Sequence, residues 1–201
     1  MVIYFDKFDK IDDKKYTLLY SFLPPSRKQK VDKTKDEQSK KIQIVEYYLV
    51  KKHLGISSQK DFLYNKYGKP YILGEKHFSI SHTKTALVIA ISDNEIGIDI
   101  QEISNVSERL IQKVLNESEM QQVQNSICPS EEFTKLWTKK ESYVKYYGTS
   151  IFYKTRDILN FASDVTFHTI KKNNQIITTC TKKVEKNRKF LKWIPQWKKR
   201  N

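Results

Sequence analysis

An uninterrupted helical stretch, residues 133–148, constrains the fold of this chain more than any other part of the sequence. No Gly or Pro occurs in it before Gly148, a residue that favours the left-handed conformation in which many helices end. Ser130 lies just upstream and is the predicted N-cap, because its hydroxyl can accept a hydrogen bond from an unpaired amide of the first turn. The pattern therefore predicts one long amphipathic helix.

Three side chains of this helix, spaced by four residues, form a stripe of Trp137, Glu141 and Lys145. Positions i and i+4 lie on the same side of a helix, so an aromatic ring, a carboxylate and an ammonium fall in one row. Taken alone, the stripe is typical of an ordinary amphipathic helix with one Glu–Lys ion pair. We expect Trp137 to fix the packing of the helix rather than to take part in chemistry.

The segment EIGIDIQ, residues 95–101, predicts a strand with one apolar and one polar face. Side chains alternate between the faces of a strand, so the three isoleucines point together into a core while Asp99 and Gln101 share the opposite face. Gly97 belongs to that polar face too, and its missing side chain leaves room for a ligand or a second chain segment. Glu102 would face away.

The rest of the sequence predicts further helices, strands and turns. Predicted strands are an edge strand at Met1–Phe8, strands at 77–82 and 85–91, and a hairpin of 161–170 and 175–181 that turns at Asn173–Asn174. Predicted helices are 16–23, 42–54, 107–114, 118–124 with Ser118 as its cap, and a short helix that ends at Tyr64. Residues 65–70 have the composition of a turn.

The charge of the chain indicates an anionic partner. Its 201 residues contain 37 Lys and Arg against 23 Asp and Glu, a formal net charge of +14. Nucleic acid, a membrane surface, a phosphorylated cofactor and an acidic protein all fit such a charge. The N-terminus lacks the apolar core of a signal peptide, and no apolar run approaches a membrane span. Cys128 and Cys180 are expected to be free thiols in a reducing cytoplasm.

The segment 26–41 is almost entirely polar and begins with a basic cluster. A run of this kind is commonly a solvated helix or loop. Alternatively, Arg27, Lys28 and Lys30 converge on a phosphate group, which guanidinium and ammonium groups bind well. Both interpretations stay open at the level of the residues.

Three motifs follow one another in the sequence: SISHT at 79–83, IGIDIQ at 96–101 and WTKKESYVK at 137–145. In this order and spacing they resemble the motifs of the 4′-phosphopantetheinyl transferases of the Sfp type. Lys69, which follows Gly68, and the basic cluster at 27–30 fit the same pattern. The resemblance covers the chain from about residue 20 to residue 152.

The resemblance implies an α/β (α+β) fold of two similar lobes, related by a pseudo-twofold axis, with the active site in the cleft between them. A change in composition near residues 102–106 is the best candidate for the boundary. We therefore expect an N-terminal lobe at 1–103 and a C-terminal lobe at 104–201, the latter with a basic C-terminal tail. A monomeric, cytoplasmic enzyme is implied as well.

The activity implied by the resemblance is a Mg²⁺-dependent transfer of the 4′-phosphopantetheine arm of coenzyme A. The acceptor is a serine of an acidic apo-carrier protein, of the fatty-acid, polyketide or nonribosomal-peptide type, and the second product is adenosine 3′,5′-bisphosphate. The implied catalytic residues are Glu141 as general base, Lys145 on the pyrophosphate and His82 on a phosphate oxygen. The implied coenzyme A contacts are Arg27 and Lys30 on the 3′-phosphate, and Lys69, Ser81, His82 and Lys145. The implied metal ligands are Asp99, Gln101 and Glu141.

One position departs from the family pattern, which has Asp-x-Glu where this chain has Asp99-Ile-Gln101. An amide can still offer its carbonyl oxygen or hold a metal-bound water, so weaker Mg²⁺ affinity is expected. A homologue that binds coenzyme A or a carrier with little turnover is therefore one alternative. A basic nucleic-acid-binding module is the other, although the basic residues are scattered along the chain and no nucleic-acid motif occurs.

Overall fold

Two β-sheets pack face to face in the computed structural model of the protein, which describes residues 1–56, 61–149 and 155–183, and the backbone of 193–195. The first sheet has the strand order β4-β5-β1-β9, and the second has the order β6-β8-β7. A separate two-stranded hairpin pairs β2 with β3. The strands are β1 (Val2–Phe5), β2 (Leu63–Tyr64), β3 (Pro70–Tyr71), β4 (His77–His82), β5 (Leu87–Ser92), β6 (Ile96–Glu102), β7 (Val165–Lys172), β8 (Gln175–Lys182) and β9 (Trp193–Pro195).

The longest helices cover the outer faces of the two sheets. Helix α3 packs against β4 and β5, and helix α6 packs against β6 and β8. The helices are α1 (Asp13–Ser21), α2 (Pro25–Lys33), α3 (Glu37–Leu54), α4 (Glu108–Val114), α5 (Glu117–Gln124) and α6 (Pro129–Tyr147). Two 3-10 helices span Phe8–Lys10 and Thr155–Phe161. None of the helices in the described part of the chain combines the length and the apolarity needed to cross a bilayer.

The alternation of side chains along the strands explains the layers. In β1, Ile3 and Phe5 pack in the core beneath α3, whereas Val2 and Tyr4 pack in the core between the two sheets. The three isoleucines of β6 are buried in this second core, as the strand pattern predicts. The opposite face of β6 is thereby turned towards α6, which is where the predicted polar residues lie.

Several sequence predictions are confirmed. The long helix extends to Tyr147 and ends at Gly148, whose φ of 60° is left-handed. Strands β7 and β8 form the predicted hairpin, with Asn173 at a φ of 54° in its turn. The two cysteines are free, Cys128 exposed and Cys180 buried. Most of the basic C-terminal tail lies outside the described residues.

One strand prediction and one helix prediction are wrong. Strand β1 is not an edge strand, because it pairs with β5 on one side and with the distant β9 on the other. The helix predicted to end at Tyr64 is replaced there by β2, which the turn at 65–70 brings against β3. Residues 57–60 of that predicted helix lie outside the described residues.

The predicted N-caps of two helices are also wrong. Helix α5 is capped two residues earlier than Ser118, by Asn116, whose side chain and that of Glu119 form a reciprocal capping box. Helix α6 begins at Pro129, so Ser130 is already helical, and its hydroxyl donates to the Asn105 side chain instead. Both helices therefore start earlier than a serine-based prediction places them.

The predicted lobe boundary at residue 103 is crossed by a sheet. Strand β6, which precedes it, pairs antiparallel with β8, which follows it, over the whole of β6. The division into two lobes stays a prediction. What the sheet does show is that β6 and α6 are joined by direct packing, since α6 lies across β6 and β8.

Gly97 sets how closely α6 approaches β6. A Cβ atom on this residue would lie 1.9 Å from the carbonyl oxygen of Ser142 and 2.5 Å from the amide nitrogen of Tyr146. Two backbone segments therefore touch where a side chain would normally separate them. The second chain segment for which the sequence leaves room at Gly97 is α6.

We expect Gly97→Ala to lower the free energy of unfolding by about 2–3 kcal/mol or more, because the added methyl group collides with a helix backbone that cannot yield locally. Equilibrium denaturation in urea measures the change. Gly74→Ala is the matched control: Gly74 has open space around it and only a positive φ of 80° to disfavour alanine, so it should cost about 1 kcal/mol. Equal costs for the two variants would contradict the close contact.

Candidate active site

Helix α6 and strand β6 bring Asp99, Glu141 and Lys145 together. The Lys145 ammonium lies 2.7 Å from the Oδ1 atom of Asp99 and forms an ion pair with it. The Asp99 side chain is almost completely buried, at 2% exposure, while that of Lys145 is 29% exposed. The two carboxylates also sense each other, because the charge of Asp99 contributes to the raised pKa of Glu141. Residues that are 46 positions apart in sequence thus share one small site.

Asp99 is held by a network of hydrogen bonds. The Ser81 hydroxyl donates to Oδ1 at 2.7 Å, and the Gln101 amide group donates to Oδ2 at 3.3 Å. Strand β4 supplies Ser81 and ends at His82, so this end of β4 faces the same site. The prediction that Asp99 and Gln101 share one face of the strand is confirmed by this contact.

The carboxyl group of Glu141 has a strongly raised pKa, about 7 against an ordinary value of 4.5. Burial is the main cause, and the negative charge of Asp99 adds to it, while the Lys145 ammonium acts in the opposite direction. A carboxylate with a pKa near neutrality can accept a proton and release it again at physiological pH. Glu141 therefore has the properties that a general base needs.

His82 is the remaining titratable group at this end of β4. Removal of water from around the ring lowers its pKa, and the Lys145 charge lowers it further, against an opposing hydrogen bond with Thr83 and the charge of Asp99. A lowered pKa keeps the imidazole neutral at pH 7. A neutral ring can still donate one N–H hydrogen bond to a ligand.

A pocket of about 300 Å³ opens beside these residues. Its walls come from the turn between β2 and β3, from the middle of β4 and from the C-terminal half of α6. The lining residues are Tyr67, Gly68, Lys69, Pro70, Ser79, Ile80, Glu141, Val144, Lys145, Gly148 and Thr149. Glu141 and Lys145, from the predicted stripe, therefore share this pocket with the predicted Lys69.

Lys69 lines the pocket, but its ammonium is bonded to two residues outside the pocket lining. Its ammonium forms an ion pair with Glu95 and donates to the Tyr146 carbonyl oxygen at 3.0 Å. The residue before β6 and the end of α6 thus both bind this ammonium. Its predicted role in lining the nucleotide stays a prediction.

Arg27 lies in a buried cluster with acidic and aromatic neighbours. Its side chain is 3% exposed, and its guanidinium donates to Asp61 at 2.9 Å and to the Tyr64 hydroxyl at 2.6 Å. Glu46 lies 3.7 Å away, and the Phe62 ring lies 4.2 Å from the guanidinium carbon. Arg27 therefore already has ligands. Its assignment to a phosphate stays a prediction and would require these contacts to rearrange.

Lys30 is exposed, and its ammonium lies 5.7 Å from the centre of the Tyr64 ring. Tyr64 immediately precedes the turn that lines the pocket. The exposed ammonium of Lys30 is thus more accessible to a phosphate than the buried Arg27 guanidinium.

The oxygen atoms around Asp99 suit a hard divalent cation. Asp99 and Glu141 supply carboxylates and Gln101 an amide oxygen, which are the donor types that Mg²⁺ prefers. Burial is the main cause of the raised pKa of Glu141, and the charge of Asp99 adds to it, a repulsion that a cation would relieve. Within the described ranges, no group of three or more His, Cys, Asp or Glu side chains has the arrangement of a metal site. The donor set fits a cation that keeps several waters.

Lys140, next to Glu141, was missed by the sequence analysis. It is completely buried, and its ammonium donates to Glu119 at 2.6 Å and to the carbonyl oxygens of Val114 and Arg156 at 2.9 and 2.8 Å. Burial lowers its pKa, while the hydrogen bond and charge of Glu119 raise it. A helical-wheel argument could have placed Lys140 on the buried side, but its partners are not readable from the sequence.

A family model described as the 4′-phosphopantetheinyl transferase superfamily matches residues 95–194. The chain is 39% identical over 95 residues to the 4′-phosphopantetheinyl transferase gsp of Aneurinibacillus migulanus, covering 45% of this chain and 39% of the relative. It is 26% identical over 140 residues to the 4′-phosphopantetheinyl transferase Sfp of Bacillus subtilis (strain 168), covering 65% and 62%. The chain thus spans less than two thirds of the length of either relative. The resemblance deduced from the three motifs is confirmed.

The raised pKa of Glu141 predicts that the metal-free protein loses stability as the pH rises. The folded state binds this proton more tightly than the unfolded state, whose pKa is near 4.5, so stability falls as the pH rises from 4.5 to 7. Glu141→Gln removes the titrating group and therefore this loss. The change in the free energy of unfolding caused by Glu141→Gln should be more favourable at pH 8 than at pH 5 by about 1–3 kcal/mol, a range that allows for the partial exposure of Glu141.

Urea denaturation in EDTA at both pH values measures the difference. Glu132→Gln, which makes the same charge change on the same helix, is the matched control. An equal effect of Glu141→Gln at pH 5 and pH 8 would show that the carboxyl group titrates normally.

Proposed function

We propose, from the match of residues 95–194 to the model of the 4′-phosphopantetheinyl transferase superfamily, that the chain transfers the 4′-phosphopantetheine arm of coenzyme A to a serine of an acidic apo-carrier protein. The observation that carries the proposal is the position of Glu141. This residue combines a pKa near 7 with a place in the pocket, beside Lys145 and within the field of Asp99.

The reaction requires a base and an electrophile. The oxygen of the carrier serine forms a bond to the phosphorus atom that bears the arm, and the bridging P–O bond of the pyrophosphate breaks. Glu141 accepts the serine proton, directly or through a water, and adenosine 3′,5′-bisphosphate leaves with the bond electrons. A pKa near the working pH is well suited to this proton transfer.

The other pocket residues have supporting roles in this proposal. Lys145 places a positive charge beside the pyrophosphate, and the neutral His82 ring donates a hydrogen bond to a phosphate oxygen. Ser81 holds Asp99 in place through its hydroxyl and lies next to His82. The stem of Lys69 lines the nucleotide, and Lys30, with Arg27 after rearrangement, binds the 3′-phosphate.

Mg²⁺ would be held by Asp99, Glu141 and the amide oxygen of Gln101, together with water and phosphate oxygens. When bound, it would gather phosphate oxygens and offset the charge that develops on them. The ammonium of Lys145 now bonds the Asp99 carboxylate at 2.7 Å. To contact the pyrophosphate, this ammonium would leave the Asp99 carboxylate, which would then be available to hold the cation.

The charge of the chain supports an acidic carrier as partner. A net charge of +14 favours association with both a polyanionic coenzyme and an acidic protein surface. The proposal includes the two-lobed arrangement with the site between the lobes, and a monomer located in the cytoplasm. The free thiols of Cys128 and Cys180 are compatible with that reducing compartment.

Glu141→Ala should abolish arm transfer, because no other carboxylate in the described part of the pocket lining can accept the serine proton. Mass spectrometry of an apo-carrier incubated with coenzyme A and Mg²⁺ detects the added arm directly. Circular dichroism verifies that the variant is folded, and Glu132→Ala controls for the loss of a charge from α6. Transfer at the wild-type rate by Glu141→Ala would remove this residue from the mechanism.

Gln101→Glu should lower the Mg²⁺ concentration that gives half-maximal transfer. The substitution replaces the amide that contacts Asp99 with a third carboxylate, which binds a hard cation more strongly. Titration of the transfer rate with Mg²⁺ for both proteins measures the change, with coenzyme A saturating. Half-saturation at an unchanged or higher concentration would show that position 101 is not a metal ligand.

A further inference from the structure

The ion pair of Lys69 and Glu95 lies where three elements of the pocket meet. Lys69 belongs to the turn between β2 and β3, Glu95 immediately precedes β6, and the Tyr146 carbonyl that also binds Lys69 lies at the end of α6. The turn forms one wall of the pocket, β6 carries Asp99, and α6 carries Glu141. A single ammonium therefore connects the parts of the site that must keep a fixed geometry.

A second contact joins the same turn to α6. The Asn65 side chain donates to the Gly148 carbonyl oxygen at 2.8 Å. Its Oδ1 atom accepts from the amides of Tyr67 and Lys69, both at 2.9 Å, and so shapes the turn itself. The last carbonyl groups of a helix lack partners within the helix and carry its negative dipole, so they are natural acceptors for these donors.

The packing around Gly148 shows how tightly the turn is held. A Cβ atom on Gly148 would lie 2.7 Å from the side-chain Nδ2 atom of Asn65 and 3.1 Å from Cδ of Lys69. The aliphatic part of the Lys69 side chain thus packs against the end of α6, while its ammonium is bonded to Glu95 and to the Tyr146 carbonyl oxygen. This ammonium is only partly accessible, since the Lys69 side chain is 15% exposed.

Glu95 is itself held from a third direction. Its second carboxylate oxygen lies 3.0 Å from Nδ1 of His77, at the start of β4. The far end of β4 carries Ser81, whose hydroxyl donates to Asp99. Glu95 therefore links the turn to β4 as well, and the cluster of Asn65, Lys69, Glu95 and His77, which we call the hairpin clamp, joins four elements.

We propose that Glu95 is a positioning residue. Through the hairpin clamp, Glu95 and Lys69 hold the pocket wall against α6. The Lys69 ammonium then has a structural role and is not a phosphate ligand. The inference rests on the proposed function, because coenzyme A is taken as the occupant of the pocket. Loss of the clamp should weaken coenzyme A binding, since the wall then has to be ordered when the ligand binds.

The two roles of Lys69 make opposite predictions for Glu95→Gln. If the Lys69 ammonium has the structural role, Glu95→Gln and Lys69→Met each raise the Kd for coenzyme A by about three- to tenfold. The double variant then binds no worse than either single variant, because both substitutions remove one interaction. If the ammonium instead binds phosphate, Lys69→Met weakens coenzyme A binding, whereas Glu95→Gln leaves it unchanged or strengthens it. This second result would overturn the positioning role of Glu95.

The nearby ion pair of Lys76 and Asp93 provides matched controls. Both side chains are well exposed, at 58% and 78%, and Asp93 lies two residues before Glu95. Asp93→Asn and Lys76→Met make the same charge changes without touching the pocket, so their Kd values should stay within about twofold of the wild type. Isothermal titration calorimetry of the full chain with coenzyme A and Mg²⁺ gives the Kd values.

Kinetics separate positioning from general stability. A positioning role raises the KM for coenzyme A more than it lowers kcat, whereas partial unfolding lowers the active fraction and leaves KM unchanged. A fall in kcat alone for Glu95→Gln would overturn the proposal.

Hydrogen exchange tests the clamp without any ligand. The amides of Asn65 and Gly68 are bonded within the turn, to the carbonyl oxygens of Lys69 and Asn65, and should exchange faster in Glu95→Gln than in Asp93→Asn. Wild-type exchange in Glu95→Gln would overturn the clamp. Failure of the wild type to bind coenzyme A would instead overturn the proposed function, and the exchange result would still decide whether the clamp exists.

Discussion

The backbone contact between α6 and β6 at Gly97 determines where the chemistry of this protein can occur. Because Ser142 and Tyr146 lie directly over Gly97, the positions of the residues that precede them in the helix, 141 and 145, are set relative to the strand. Glu141 and Lys145 consequently fall beside Asp99, two residues along β6. A side chain at position 97 would push the helix outwards and separate the two carboxylates.

The opposite side of α6 fixes the rotation of the helix about its axis. Lys140 is completely buried among three oxygen acceptors from α4, α5 and the second 3-10 helix. On the side that faces the sheet, Thr138 is buried as well, and its hydroxyl forms a hydrogen bond of 2.8 Å with that of Thr178 on β8. A buried ammonium is costly unless it is fully bonded, so the helix has one favourable rotation, in which Glu141 faces the pocket.

Local patterns in the sequence predict the parts of the site that depend on periodicity. The period of two along β6 places Asp99 and Gln101 on one face, and the uninterrupted run before Gly148 places Glu141 and Lys145 on one helix. Tertiary pairing decides the rest. The serine caps fail because Asn116 and Asn105 offer other hydrogen bonds. The edge position of β1 fails because its second neighbour, β9, lies about 190 residues away in sequence.

The charged residues show the same limit most clearly. A basic cluster at 27–30 predicts phosphate contacts, yet the Arg27 guanidinium is buried against Asp61 and Tyr64. Lys69 likewise binds Glu95, 26 residues away. The charge of a side chain can be read from the sequence, whereas the partner that compensates it depends on how distant segments meet in the folded chain.

Cys180 can report the separation of helix α6 from the β6-β8-β7 sheet. It lies directly opposite Gly97 in the β6–β8 register, is fully buried, and burial raises the pKa of its thiol to about 12. A thiol in this state is inert towards alkylating reagents until the layers above it separate. Exposed Cys128 reacts at once and supplies an internal reference. The ratio of the two labelling rates therefore reports how often α6 lifts from its sheet, with no probe introduced into the protein.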